Sequence, residues 1–399
     1  MTAVVTDVRY RMSVSVIRDL SRAGIRVIAC ESESCVNDPK SPPLGFFSRC
    51  CAQAVALPPE HYFDALYSLC EQTYRAEGEK PALLPVGAAT QAFLAQDEVR
   101  SRFSAVAGLG LPTTQQLAQF NDKSAVHELA RQLGIPVPKS ARADSAAGWD
   151  LYPCVVKPLC GEAFCLTAAQ RYIIAQNRQQ ADEAIRHFMQ ITGETPLLQE
   201  YLPGDGYGCS VMCQDGNIAC SLGHHRLREY PVSGGPSSCC ESVHDTRMLK
   251  YAEKMVQKTA YTGPAMFEFK ADAAGQPRLL EINPRIWGSY PLTRAAGSGM
   301  SAVWFALAYN AGNPASPIND VVSDVIIGKK MRFFPSDLAA GISYIRKGQP
   351  ARGLKAFHPF LRDGLFEWRD MMPALCYYRS LLARPAPKKT KKEKPHDEG

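Results

Sequence analysis

Phe267-Glu268-Phe269-Lys270 and, a short turn later, Leu279-Leu280-Glu281-Ile282-Asn283-Pro284-Arg285 decide how this chain is read. Apolar residues flank both acids, so Pro264 to Lys270 and Arg278 to Asn283 read as a strand pair around Asp272-Ala273-Ala274-Gly275. Side chains alternate across a strand, so Glu268 points away from Phe267 and Phe269, and Glu281 and Asn283 share a face. A hairpin that sets Glu268 beside Glu281 gathers two carboxylates and an amide oxygen. These are hard ligands of the kind Mg²⁺ takes together with water and phosphate oxygens. Without a cation the two acids would repel and one would take up a proton. A solvent-facing polar stripe that ends in an Asn-Pro turn accounts for the same residues, and on this segment alone the two readings are even.

Working upstream, Ser210 to Gln214 and Asn217 to Leu222 form a second hairpin about Asp215-Gly216. It continues into His224-His225-Arg226-Leu227-Arg228-Glu229 and the loop Ser233-Gly234-Gly235-Pro236-Ser237. Alternation puts Arg226 and Arg228 on one face, where two forked cations suit a carboxylate or phosphate. An ordinary basic hairpin arm is the plainer alternative. His224 and His225 fix no tetrahedral metal site. Leu197-Leu198-Gln199-Glu200-Tyr201 is another strand, closed by Leu202-Pro203-Gly204, and its exit leaves backbone groups that can read a base edge. Tyr152-Pro153-Cys154-Val155-Val156-Lys157-Pro158 is a buried strand whose terminal lysine is placed to meet a phosphate, although a lysine snorkelling at a strand end is commoner. Before it, Asn121 or Asp122 can cap a helix through Ala125, Val126, Leu129, Ala130 and Leu133 that Gly134 and Pro136 stop.

The N-terminal part reads as strand (Ala3 to Thr6), helix (Val14, Val16, Ile17, Leu20) and strand (Ile25 to Cys30), a βαβ unit with a parallel sheet. Val55 to Leu57 and Pro81 to Val86 add strands, with helices from His61 to Tyr74 and from Ala89 to Ala95. The turn Asp7-Val8-Arg9-Tyr10-Arg11-Met12-Ser13 contains no glycine, which argues against a dinucleotide-binding turn. From Met331 onward the pattern is helical, with Ser336 as candidate cap ahead of Leu338, Ile342 and Ile345.

The ordered set Asn121-Asp122-Lys123, Val155-Val156-Lys157-Pro158, Gln199-Glu200-Tyr201-Leu202-Pro203-Gly204, Phe267-Glu268-Phe269 and Glu281-Ile282-Asn283-Pro284-Arg285 resembles the ATP-grasp superfamily over residues 1 to 310. The resemblance implies an open-sheet α/β domain (1–112) and an α+β ATP-grasp fold of two subdomains (113–195 and 196–325); residue pattern and composition add a helical C-terminal extension (326–383) and a disordered basic tail (384–399). ATP would lie between the subdomains. Lys123 and Lys157 would contact its phosphates. Glu200, Tyr201 and Leu202 would bind the adenine edge, and Asp205 the ribose hydroxyls. Glu268, Glu281 and Asn283 would hold two Mg²⁺ (or Mn²⁺) ions. Arg285 would neutralise the transferring phosphoryl group, with Arg226 and Arg228 orienting the carboxylate. The implied reaction is activation of a small-molecule carboxylate as an acyl phosphate for attack by an amine, forming ADP. Family members close a glycine-rich loop over the phosphates after the lysine strand. Here Pro158 to Leu166 holds one glycine and an acid, which motivates a rival reading as an ATP-binding module or scaffold without turnover. A carboxylase or carbamoyl-phosphate-synthetase-like enzyme is a further alternative. No biotin-carrier pattern and no duplicated half supports it.

Composition sets outer limits. The 399 residues are 46% hydrophobic and 21% charged, a globular balance with no run long enough to span a bilayer. No basic region followed by an apolar one opens the chain, so a cytoplasmic protein is expected. The 14 cysteines are scattered with no C-x-x-C pair and read as reduced thiols. Half of the net charge of +6 sits in residues 384–399, so the folded body is nearly neutral and shows no nucleic-acid footprint. The aromatic-rich segment from Met331 to Leu382 suits packing onto the rest of the chain, as a lid, a dock or a homodimer surface.

Overall fold

The structure is a computed structural model that describes residues 1–159, 164, 166, 170–232, 235–313, 325–359 and 361–383. The glycine-poor stretch at 160–163 and 165, Ser233 with Gly234, and the tail 384–399 lie outside the described residues.

Three sheets organise the described residues. The first joins β1 (Thr2–Thr6), β2 (Arg26–Ser32), β3 (Gln53–Leu57) and β4 (Ala82–Pro85) in the order β3-β2-β1-β4, all parallel. All five residues of β1 are buried, as expected for a central parallel strand covered on both faces. The helix Arg11–Arg22 turns Val14, Val16, Ile17 and Leu20 inward, and Gly24 takes φ +75° just after it. The expected βαβ start is therefore present.

The second sheet is small and antiparallel. It joins β5 (Ser140–Arg142), β6 (Cys154–Lys157), β7 (Ile173–Ala175) and β8 (Leu197–Glu200) in the order β5-β8-β6-β7. The helix Arg178–Thr192 packs Ala181, Ala184 and Phe188 against it.

The third sheet joins β9 (Gly206–Gln214), β10 (Asn217–Glu229), β11 (Ser237–Val243), β12 (Gly263–Ala271), β13 (Pro277–Asn283), β14 (Lys330–Arg332) and β15 (Arg362–Asp363) in the order β13-β12-β9-β10-β11-β14-β15. Asp215 and Gly216 both take positive φ, 49° and 81°, which makes the two-residue β9–β10 turn twist with its strands. Helices Lys123–Gln132 and Thr246–Lys258 cover one face, burying Met248, Met255, Phe267 and Phe269. Helix Met300–Gly312 covers the other and packs against β4, β9 and β10, so one apolar core joins the first sheet to the third. A Cβ on Gly108 would meet the Ala308 carbonyl oxygen at 2.0 Å, so only glycine permits this approach. Trp304 in that helix is fully buried, a site where truncation to alanine costs about 3–5 kcal/mol.

The C-terminal segment departs from the expected all-helical pattern. β14 pairs with β11, β15 pairs in parallel with β14, and both extend the third sheet. Strands of two or three residues carry no periodicity to read. Phe333, not Ser336, is the N-cap of the helix Phe334–Arg346, with Pro335 in its first turn. The segment is fastened to the N-terminal sheet by Arg18, which is 1% exposed. It donates to the Asp370 carboxylate at 2.8 Å and to the Leu365 and Asp370 carbonyls at 2.7 and 2.6 Å. Among the described residues no helix is long and apolar enough to cross a membrane, and the cysteines are free thiols.

Candidate active site

The ligand-type residues of β12 and β13 converge because the hairpin register is set by its apolar face. With Phe267, Phe269, Leu279 and Ile282 turned into the core, Glu268 and Glu281 become direct register partners on the opposite side. Leu280 falls at a register slip between Glu281 and Leu279, a bulge that lets its carbonyl meet the His127 Nε2 at 2.9 Å. The Asn283 amide donates to Glu268 at 3.0 Å and accepts from Arg285 at 3.2 Å. Arg285 also donates to the Ile286 carbonyl at 3.1 Å.

Cations close on this acid pair from two sides. Arg226 reaches Glu268 at 2.6 Å and Glu229 at 3.6 Å. Lys123 reaches Glu281 at 3.2 Å. Lys123 is aimed there by its helix start, where the Asp122 carboxylate accepts from the Ser124 and Ala125 amides at 2.7 and 3.0 Å. Of the two candidate caps, Asp122 is the one used. Lys157, at the end of β6, is 9% exposed and donates to the Gln199 side-chain oxygen at 2.9 Å.

The charges respond to this crowding. Burial, then the neighbouring Lys123 cation, pulls the Lys157 ammonium down to about 7, against the attraction of Glu281 and Glu268. Burial would raise the Glu281 carboxyl, but Lys123 and Lys157 outweigh it and hold the group below the usual carboxylate range. Burial raises Glu268, with Arg226 opposing and Glu281 adding to the rise. Burial, then the Lys157 cation, lowers His127 to about 4, so it sits neutral behind the lysines.

These groups line one cavity of about 520 Å³ between the second and third sheets. Lys123, Lys157, Glu200, Tyr201, Leu202, Arg226, Glu268, Glu281, Asn283 and Arg285 all stand on its wall. The Glu200 carboxylate is tied back to the Lys139 amide at 3.0 Å, and Leu202 is buried. Beside the lysines and acids, Val155, Ile174 and Leu202 add apolar lining to the same cavity.

Two expected residues do not join them. Arg228 is absent from the wall. A register slip on β10 between Arg226 and Arg228 breaks the alternation that would have set both on one face. Its guanidinium instead makes a two-pronged buried pair with Asp337, both contacts at 2.7 Å. Asp205 is also off the wall. It accepts from His225 Nε2 at 3.1 Å and pairs with Arg352 at 3.4 Å.

The wall also contains residues that the sequence did not single out. Arg11 and Met12 reach it from the helix that follows β1, Gln199 supports Lys157, and Trp287, Gly288 and Ser289 also line it. Gln91, 1% exposed, donates to the Pro284 carbonyl at 2.7 Å and fixes the turn between Asn283 and Arg285. For Gln199 a signal existed, since it shares a strand with Glu200 next to the lysine strand. Arg11 and Gln91 act across sheets, where no local pattern points.

The donor set fits a Mg²⁺ ion. Two opposed carboxylates and the Asn283 amide oxygen supply part of a shell, and water and phosphate oxygens would supply the rest. Among the described residues no three His, Cys, Asp or Glu side chains gather at one point, so an all-protein cage is not present.

Comparison with known proteins agrees with this architecture. Residues 192–327 match the family model described as ATP-grasp in the biosynthetic pathway with Ter operon. The fold is similar to the biotin carboxylase–β,γ-ATP complex from Campylobacter jejuni, with TM-score 0.60 and 15% identity over 81% of this chain and 73% of that one. It is also similar to an L-amino acid ligase from Bacillus licheniformis, with TM-score 0.51 and 18% identity over 78% and 74%. A third similar structure is an N5-carboxyaminoimidazole synthetase from Staphylococcus aureus, with TM-score 0.58 and 14% identity over 86% and 83%. No curated protein matches the chain. The chain thus has the fold of the ATP-grasp superfamily.

Proposed function

We propose that this chain, built on the ATP-grasp fold, is a Mg²⁺-dependent ligase that uses ATP to activate a carboxylate as an acyl phosphate and passes the acyl group to an amine. The observation that carries the reading is the pair Glu268–Glu281, opposed in register on one cavity wall with Lys123 and Lys157. In this reading the adenine occupies the slot at Val155, Ile174 and Glu200 to Leu202. Lys123 and Lys157 take phosphate oxygens. Glu268, Glu281 and Asn283 hold the metal, which supplies charge neutralisation at the phosphates when bound.

The chain's own groups then position and neutralise. In the free protein Lys123 and Arg226 occupy the acids that the metal would claim. With those acids given over to a metal, Lys123 would be left to face the nucleotide phosphates and Arg226 the incoming carboxylate. Arg285 faces the same wall and neutralises charge on the transferring phosphoryl group. A carboxylate oxygen attacks the γ-phosphorus while its bond to the bridging oxygen breaks and ADP leaves. The amine nitrogen attacks the acyl carbon, inorganic phosphate departs, and the amine's extra proton goes to solvent. Asp205 and Arg228, held elsewhere, take no part.

Phosphate release tests this directly. The protein is incubated with Mg–ATP and pools of amino acids and carboxylic acids. Stimulation above the ATP-only rate supports a ligase. A thermal shift with Mg–ATP and no stimulated release would favour the binding-module reading that the glycine-poor stretch after Lys157 suggests.

A further inference from the structure

We propose that Arg11 anchors a carboxylate that does not react, so that one of the two substrates carries an acidic group beyond the one activated. The proposal rests on the ligase reading above and narrows its substrate class.

Arg11 is the first residue of the helix Arg11–Arg22 and stands on the cavity wall. Its guanidinium carbon lies 3.6 Å from the centre of the Phe333 ring and 5.5 Å from that of Tyr377. A guanidinium stacked by its face keeps its N–H donors in the plane, directed past the ring edges. Among the described residues no carboxylate pairs with it and no hydrogen bond holds it. Its neighbours on the wall differ. Arg226 has Glu268 and Glu229, and Lys123 has Glu281.

The local field sharpens the contrast. The helix that Arg11 begins has no acidic residue in its first turn and no side-chain cap at Tyr10. The positive end of the helix therefore adds to the arginine charge instead of being offset by it. An arginine on the cavity wall with no carboxylate partner among the described residues, beside a bare helix start, is matched to a two-oxygen anion.

The cations of the wall come from different elements. Lys123 and Lys157 come from the helix Lys123–Gln132 and β6. Arg11 comes from the helix that follows β1, and the Phe333 ring it covers lies beside β11. There the Phe333 amide donates to the Ser238 carbonyl at 2.9 Å, and Pro236 and Ser237 form the wall. The reacting carboxylate belongs by Arg226, next to the phosphoryl group at Arg285, so a second fork on a different element calls for a second carboxylate. It could belong to the amine, as in an amino acid, or to the acid, as in a dicarboxylate. The shared chemistry is the same.

The test compares substrates that differ only in that group. Amino acids are run against their amides as amines, and dicarboxylates against their monoamides as acids, with phosphate release from Mg–ATP as readout. In the unaltered protein, amidating the anchored partner raises its KM by roughly 10- to 100-fold. Arg11→Met raises the KM of the free-carboxylate partner to a similar level and leaves little difference between it and its amide. Arg11→Lys recovers part of the loss, because a point charge lacks the fork. Phe333→Leu keeps the guanidinium and loses its stack, and gives an intermediate KM, so the test survives a poorly folding Arg11→Met. The arm that responds to amidation identifies the partner. Equal kcat/KM for free and amidated partners overturns the anchor while leaving the ligase intact. So does an Arg11→Met effect confined to the KM of ATP, which would move Arg11 to the phosphates. Absence of any acid- or amine-stimulated release in the unaltered protein overturns both.

Discussion

Glu268 and Glu281 are register partners across β12 and β13, yet each leans on a different cation. Arg226 lies 2.6 Å from the first and Lys123 lies 3.2 Å from the second. The division leaves Glu281 firmly ionised and raises Glu268. Two acids this close in one wall are sustained by cations in the free protein and are suited to a divalent ion when Lys123 and Arg226 are drawn off.

The Glu281→Gln substitution tests that exchange. It keeps the shape of the side chain but removes the ionised partner. Mg²⁺-dependent phosphate release should fall by roughly 100-fold or more. The circular dichroism spectrum should stay that of the parent, because Glu281 faces the cavity and not the core, while the melting temperature should fall, because Lys123 and Lys157 lose the carboxylate they hold ionised. Undiminished activity would remove Glu281 from the metal shell.

Lys157 gives a pH signature. Its ordinary value is 10.5 and the fold lowers it to about 7. Between these values the unfolded chain holds a proton that the folded chain lacks, so this group makes stability rise with pH across the window. Below pH 7 both states are protonated and the burial penalty is complete. Lys157→Met should therefore stabilise the free protein most below pH 7, with a gain that fades toward pH 10. Urea titrations at several pH values measure it. A phosphate placed on Lys157 restores its charge, so binding of Mg–ATP at pH 8 should take up a fraction of a proton. Calorimetry in buffers of different ionisation heat reads this uptake, and a binding heat independent of buffer would contradict it.

The parts of this molecule legible in the sequence are those governed by local pattern. The βαβ start, the Asp215-Gly216 turn and the β12–β13 pair all follow from alternation or from turn chemistry. Alternation groups Glu268, Glu281 and Asn283, and the resemblance to the ATP-grasp superfamily adds Lys123 and Lys157; all five stand on one wall. Alternation failed where one extra residue intervened. The slip on β10 turns Arg228 away from Arg226, and alternation cannot foresee a bulge. It was silent where the signal is tertiary. The helix Met300–Gly312 is apolar on nearly every side, which erases the helical period. β14 and β15 are too short to show one. Gln91 and Arg11 matter only because the first sheet docks against the third, a contact no single stretch of sequence encodes.

Gln91 is the clearest of these tertiary contributors. It spans from the helix Ala88–Ala95 to the Pro284 carbonyl, between the metal-type Asn283 and Arg285. Its action on the reacting groups goes through that turn, so it is a positioning residue. Gln91→Leu should lower kcat by about 10-fold with a smaller change in the KM of ATP. It should also destabilise the fold by roughly 1–3 kcal/mol, since the Pro284 carbonyl loses a buried donor. Gln91→Glu offers an acceptor where a donor is needed, and should be no better than leucine. A kcat unaffected by both variants would confine Gln91 to a structural role.

Arg228 and Asp337 give the opposite case, a charge pair placed for stability alone. Their side chains are 3% and 0% exposed, and Ser238 adds a donor to Asp337 at 3.1 Å. The pair clips β10 to the helix Phe334–Arg346, and so holds the C-terminal segment whose Phe333 carries Arg11. Removing only the arginine strands a buried carboxylate, so Arg228→Met should destabilise the fold by about 3–5 kcal/mol. Replacing both, as Arg228→Met with Asp337→Leu, removes the stranded charge and should restore much of that loss. The coupling is read from a double-mutant cycle by urea denaturation. Per folded molecule, either variant should keep kcat within about 3-fold of the parent, because Arg228 does not reach the cavity. A kcat loss as large as that of Glu281→Gln in a stably folded double variant would return Arg228 to the chemistry and undo its assignment here.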